Sequence, residues 1–158
     1  MKYQLLTKEQ FEELHIEFAN FLASQQIDKK QWEEIKEKNP EVAEDEMGIF
    51  SDLIWEKVLD NVSYIEHYSE KSLNLFKCND KNIERIVVKV EKESFNFLEK
   101  DDFNWFMDHT NDASVAFLRG KKAYTSERNT EIFDLIQKGS IISKGELYEA
   151  VLKILENK

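Results

Sequence analysis

One proline (Pro40) and four glycines among 158 residues leave little of the punctuation found in disordered chains or many-turned all-β folds. A single cysteine, Cys78, excludes an internal disulfide and gives no reason to expect an oxidising compartment. No run of about 18 apolar residues occurs, so no membrane partner is expected. Met1–Thr7 leads into Lys8, Glu9, Glu12 and Glu13 and holds no secretory apolar region, so the expected location is cytoplasmic. Phosphate-cradling glycine loops, dinucleotide fingerprints and Gly-x-Ser-x-Gly elbows are missing as well. Three scattered histidines (His15, His67, His109) give no zinc spacing. Glu12-x-x-His15 has the spacing of a di-iron bundle but has no second copy, and the acidic run 41–46 lacks the glycine turn of a calcium hand. No metal, cofactor or catalytic residue is therefore assigned.

What the chain does have is apolar material: 41% hydrophobic residues, among them 11 Phe, 5 Tyr and 3 Trp. A chain of this length can bury a single core unaided, so one domain over 1–158 is expected, with an acidic helical half, 1–62, and a mixed half, 63–158. Charge divides along the same line. Residues 1–62 hold 7 basic and 15 acidic side chains (−8), and residues 63–158 hold 15 and 17 (−2). Phosphate backbones need cations to displace their counterions, so the first half is a poor nucleic-acid surface. Its acidity suits a basic protein partner, or solubility alone.

Helix-start grammar appears three times. Leu6-Thr7-Lys8-Glu9-Gln10-Phe11, Ile27-Asp28-Lys29-Lys30-Gln31-Trp32 and Ile142-Ser143-Lys144-Gly145-Glu146-Leu147 each offer a capping side chain, a Gln or Glu three residues on, and flanking apolar residues. The first helix is expected over Lys8–Ser24, with Phe11, Leu14, Phe18, Phe21 and Leu22 on its stripe. A second follows Asp28 to Asn39, and a third runs from Pro40 to about Asn61 with Ala43, Met47, Phe50, Ile54 and Val58 inward. Leu73–Cys78 and Ile83–Val90 read as strands joined through Asn79-Asp80-Lys81-Asn82. Residues 62–68 read either as another strand or as an extension of the third helix. A short helix is expected from Asp101 or Asp102 to His109, one capped by Thr125 and ended by Gly139, and a last one from Ser143 with Leu147, Val151, Ile154 and Leu155 inward. The fold class is α+β, with about six helices packed around a small antiparallel sheet from the middle of the chain.

Several constellations could bind. Arg119, Lys121, Lys122 and Arg128, with Glu127 the one acid among them, make 119–128 locally +3. This stretch reads as a basic loop with Tyr124 available for stacking, suited to an anionic ligand, an RNA phosphate or the acidic first half of another copy, or else as a solvated loop. Phe103 and Trp105, in the aromatic cluster 95–106, are either core or a partner surface. Glu84, Lys89 and Glu91 are residue types that a metal-dependent hydrolase of nucleic acid or nucleotides would use, without its full motif. Cys78 beside Lys77 reads as a core residue rather than a nucleophile. The leading expectation is a non-enzymatic interaction or regulatory protein that binds a protein partner. Attraction between exposed patches is screened beyond about 8 Å, so a monomer or a weak, salt-sensitive homodimer is expected.

Leu6–Phe50, Ile-Glu-His-Tyr at 65–68, Leu-Phe-Lys-Cys at 75–78 and Arg-Asn-Thr-Glu-Ile-Phe-Asp-Leu-Ile-Gln at 128–137 together resemble a family of small uncharacterised proteins from Bacteroidota, a domain of unknown function. The resemblance covers nearly the whole chain. It implies a bacterial cytoplasmic setting and brings no catalytic residues.

Overall fold

In the computed structural model, which describes residues 1–158, two of the three helix starts form as their chemistry dictates. Thr7 Oγ1 accepts the Gln10 amide at 3.2 Å while Gln10 Oε1 accepts the Thr7 amide at 2.8 Å. Asp28 and Gln31 repeat the exchange at 2.8 and 2.9 Å. These boxes open α1 (Lys8–Glu13) and α3 (Lys29–Lys38); α2 spans His15–Ser24 and α4 Pro40–Asp60. The single helix expected over Lys8–Ser24 is interrupted at Leu14 (φ −100°, ψ 23°). There His15 Nδ1 lies 2.9 Å from the Glu12 carbonyl oxygen, a side-chain intrusion of the kind that breaks an i→i−4 ladder. The chain therefore has seven helices, in keeping with the about six expected.

Two compact units are formed, Met1–Asp60 and Asn61–Lys158, a boundary two residues from the change in sequence character. In the first unit, Leu22, Trp32 and Ala43 are buried, with Phe18, Phe21, Ile35 and Met47 packed against them. Phe18 sits among Phe11, Trp32 and Phe50 at ring-centroid distances of 5.4, 5.3 and 5.0 Å. Ser51, fully buried, accepts the Leu6 amide and donates to the Met47 carbonyl, so no polar atom of it goes unpaired. The inward face of α4 shifts along its length: Val58 is exposed and Leu59 is buried, contrary to the stripe ending on Val58.

The second unit is built on a five-stranded antiparallel sheet in the order β4-β3-β2-β1-β5. Its strands are β1 (Tyr64–Tyr68), β2 (Ser72–Cys78), β3 (Asn82–Val90), β4 (Val115–Ala123) and β5 (Ile141–Ser143), with helices α5 (Lys100–Asp108), α6 (Arg128–Gln137) and α7 (Glu146–Glu156). The β2–β3 hairpin turns through Asn79–Asn82 as the sequence indicates, and residues 64–68 take the strand alternative.

Three expectations are corrected here. The stretch Arg119–Lys122 is an edge strand, not a loop, its register placing Gly120 opposite Arg85 and Lys121 opposite Glu84. An edge strand exposed on both sides need not alternate, and its lysines discourage pairing with other chains. Ser143 belongs to β5, paired opposite Tyr64, and α7 begins after Gly145, whose φ of 85° no capping serine could supply. Thr125 is not the cap of α6 either; its amide and hydroxyl both donate to Glu131, and Glu127 takes the cap position.

Pairing fixes two sheet faces, because side chains alternate along each strand. On the first face Leu73, Leu75, Ile86 and Val88 are fully buried with Phe95, Phe97, Phe106, Tyr148 and Val151 from the segments and helices α5 and α7 above them. On the second face lie His67, Asn74, Phe76, Ile83, Arg85, Gly120 and Lys122, with α6 bordering them. No helix of the chain is long and apolar enough to cross a membrane.

Candidate functional site

The second sheet face is closed by apolar packing only in part: Ile65, Phe76, Cys78 and Ile83 are buried there, while Arg85 is left exposed. It carries a cleft of about 660 Å³ floored by Asn74, Phe76, Ile83 and Arg85 and walled by Lys121, Lys122 and Tyr124 on one side and Glu131, Asp134, Leu135 and Lys138 of α6 on the other. That volume lies within the ordinary range for small-molecule sites, roughly 300–1,000 Å³.

Arg85 is the centre of the cleft. Its Nε and one terminal nitrogen both donate to Asn74 Oδ1, and its guanidinium lies 5.5 Å from the Phe76 ring centroid. A neutral acceptor and an aromatic face orient the guanidinium without neutralising it. Opposite it in the register, Gly120 contributes no side chain, and a Cβ there would meet nothing within 4 Å, so the space above Arg85 stays open. Four cations line the cleft against two carboxylates. Of these, Lys122 lies 3.7 Å from Glu131, which also accepts from the Thr125 amide and hydroxyl. Arg85, Lys121 and Lys138 have no carboxylate within 4.0 Å. The cleft therefore has surplus positive charge, held in place at Arg85, in a protein whose net charge is −10.

The basic stretch found in the sequence is only partly brought together. Lys122 and Tyr124 border the cleft, whereas Arg119 and Lys121 pair opposite Ile86 and Glu84 on the other face, Lys121 reaching the cleft only at its rim. Arg128 turns inward: its guanidinium donates to the carbonyls of Val62, Cys78 and Asn79 and to Asn129 Oδ1, tying the hairpin to the start of α6. The Tyr124 hydroxyl donates to the Asn79 carbonyl at 2.8 Å, and burial pushes its pKa up to about 12. Its ring borders the cleft while its hydroxyl is held by the hairpin. Arg85, Asn74, Phe76 and Lys138 were not singled out from the sequence. The available signal was the alternation of β3, which sets Arg85 on the face opposite Ile86, Val88 and Val90.

Phe103 and Trp105 are half-buried against the first-face core. The Lys92 ammonium lies 3.8 Å from the Trp105 ring centroid, and the His109 ring stacks on Trp105 at 4.5 Å. Cys78 is buried, and desolvation pushes its pKa up to about 11 despite the opposing pull of Arg128, so the thiol stays protonated at neutral pH. Glu84 and Lys89 face opposite sides of β3, and Glu91 lies beyond the strand's end, about 23 Å from Glu84 along an extended chain. The three cannot converge on one ion, and no group of three His, Cys, Asp or Glu side chains is placed to hold a metal.

No curated protein and no solved structure matches the chain. A family model does, over residues 1–156, which agrees with a resemblance spread across almost every element described above. The chain belongs to the family of unknown function DUF6495.

Proposed function

We propose that this is a non-catalytic cytoplasmic binding protein whose second unit holds a small anionic molecule in the cleft on the second sheet face. The observation that carries this reading is Arg85, oriented by Asn74 and Phe76, unpaired with any carboxylate, and facing the gap left by Gly120. Arginine held by a neutral acceptor keeps N–H donors for a phosphate or carboxylate, and Lys122 and Lys138 add charge around it, with Lys121 at the rim. A thermal-shift panel of inorganic phosphate, citrate and adenosine monophosphate tests it. At least one anion should raise the melting temperature of the wild-type protein, and Arg85→Met and Gly120→Val should each abolish that rise. Equal rises in all three proteins, or none in any, would overturn the reading.

A second reading has its own support in the first unit. Val42, Ile49 and Leu53 are exposed, fall within about 40° of one another around α4, and are edged by Asp45, Glu46, Asp52 and Glu56. Such a stripe fits the apolar groove of a basic protein partner in a unit carrying −8. A partner recovered at low salt by the wild-type protein should be lost with Leu53→Glu and weakened with Asp45→Lys. Recovery unaffected by both substitutions would rule this out.

A further inference from the structure

A second cleft, on the opposite face of the same sheet, has the reverse polarity. Glu66, in the middle of β1, is 8% exposed, the same as Phe76. It faces a cavity of about 510 Å³ lined by Phe103 and Met107 of α5, Leu147 and Ala150 of α7, and Tyr68, with Ser143, Lys144 and Glu146 completing the lining. The Tyr68 hydroxyl donates to Glu66 Oε1 at 3.1 Å. That hydroxyl stays protonated over the whole neutral range, since burial and then Glu66 push it up to about 12. No protein donor reaches Oε2, and no lysine, arginine or histidine lies within 4.0 Å of the carboxylate, Lys144 included. Oε2 is therefore the free oxygen, reached through the open groove rather than sealed from solvent.

The geometry points to a site for an alkylammonium group, of the kind carried by a lysine side chain or a free aliphatic amine. Two features select this chemistry over others. With Oε1 already accepting from Tyr68, Oε2 is the freer oxygen, which suits a compact point charge better than the two parallel hydrogen bonds of a guanidinium. The walls, Phe103, Met107, Leu147 and Ala150, are apolar, matching a methylene stem that carries its charge at the tip. Ser143 Oγ accepts the Gly145 amide and makes no hydrogen bond to Glu66. The site is independent of the anion cleft, which lies across the sheet and shares no lining residue with it.

Nuclear magnetic resonance titration of the full chain tests this with four probes: Nα-acetyl-lysine methylamide, n-pentylammonium, and the norleucine and arginine counterparts of the lysine amide. Saturable shifts are expected at Tyr68, Phe103 and Leu147 with the two alkylammonium probes, none with the norleucine amide, and weaker binding of the arginine amide. Glu66→Gln, which keeps an acceptor for Tyr68, should weaken the lysine amide by about tenfold or more. Ala150→Phe, which fills the cleft and leaves the carboxylate in place, should do the same and carries the test if the first variant does not fold. Lysine amide tighter than n-pentylammonium would assign the site to peptide lysines, and the reverse order to free amines. Equal binding by wild type and both variants, equal binding of the norleucine amide, or no saturable shift would overturn the proposal.

Discussion

The two faces of the second unit's sheet are made by the same strands and do different work. Along β3, Ile86, Val88 and Val90 enter a core with Leu73, Leu75 and Phe106, while Ile83 and Arg85 floor an open, positively charged cleft. The first face buries the main aromatic core and opens only at the groove beside Glu66, whereas the second, apolar beneath α6, leaves Arg85 exposed beside Gly120. A strand's alternation can thus assign stability to one set of residues and recognition to the other, with neighbours in sequence serving opposite ends. Substitutions on the two faces should therefore separate in melting and binding experiments.

The largest separation is expected at Phe106. It is fully buried and sits 5.4 Å from Phe97 and 6.3 Å from Phe103 and Phe117, so Phe106→Ala should cost about 3–5 kcal/mol by denaturant midpoint. A cost within about 0.5 kcal/mol would break the distinction, because that is the size of a surface substitution. Arg128→Met tests whether a residue that the sequence suggested for ligand binding is instead structural. Stranding the carbonyls of Val62, Cys78 and Asn79 should cost about 2 kcal/mol and leave anion affinity per folded molecule unchanged.

Tyr64, Tyr68 and Tyr148 on the first face sharpen the contrast further. The Glu149 hydrogen bond, followed by burial, pushes Tyr64 up to about 12, and burial leads for the other two, also reaching about 12. Each hydroxyl has an ordinary value of about 10 in the unfolded chain. Between these values the native state holds more protons than the unfolded one. Its stability is fully present below pH 10 and falls as pH rises towards 12, a loss that denaturant midpoints across that window would measure. The smallest stability effects belong to the second face: Arg85→Met and Gly120→Val should each change the midpoint by no more than about 0.5 kcal/mol while removing anion binding. A Cβ at Gly120 meets open space, so a steric cost there would contradict the cleft itself.

How far the sequence exposed this arrangement varies by element for physical reasons. Capping boxes at Thr7 and Asp28 are local chemistry and could be read directly, as could the β2–β3 hairpin, whose turn and apolar alternation reinforce each other. Edge strand β4 was hidden because solvent on both sides removes alternation, leaving Arg119–Lys122 looking like a loop. Strand β5 was hidden because three residues carry no period and Ser143 imitates a cap. The cleft was legible only in its charge, at Lys121 and Lys122. Its centre depends on β2 and β3 carrying Asn74, Phe76 and Arg85 to one place, and on Arg128 leaving for the hairpin carbonyls, neither of which local pattern can reveal.

The most direct test is a ¹H–¹⁵N titration of the full chain with inorganic pyrophosphate, a compact anion that needs no apolar pocket. Saturable shifts should centre on Arg85, Gly120, Lys121 and Lys122, leave Leu75 and Val88 on the other face unmoved, and vanish in Arg85→Met. Shifts that persist in Arg85→Met, centre on the first unit, or never saturate would contradict an anion site on the second face.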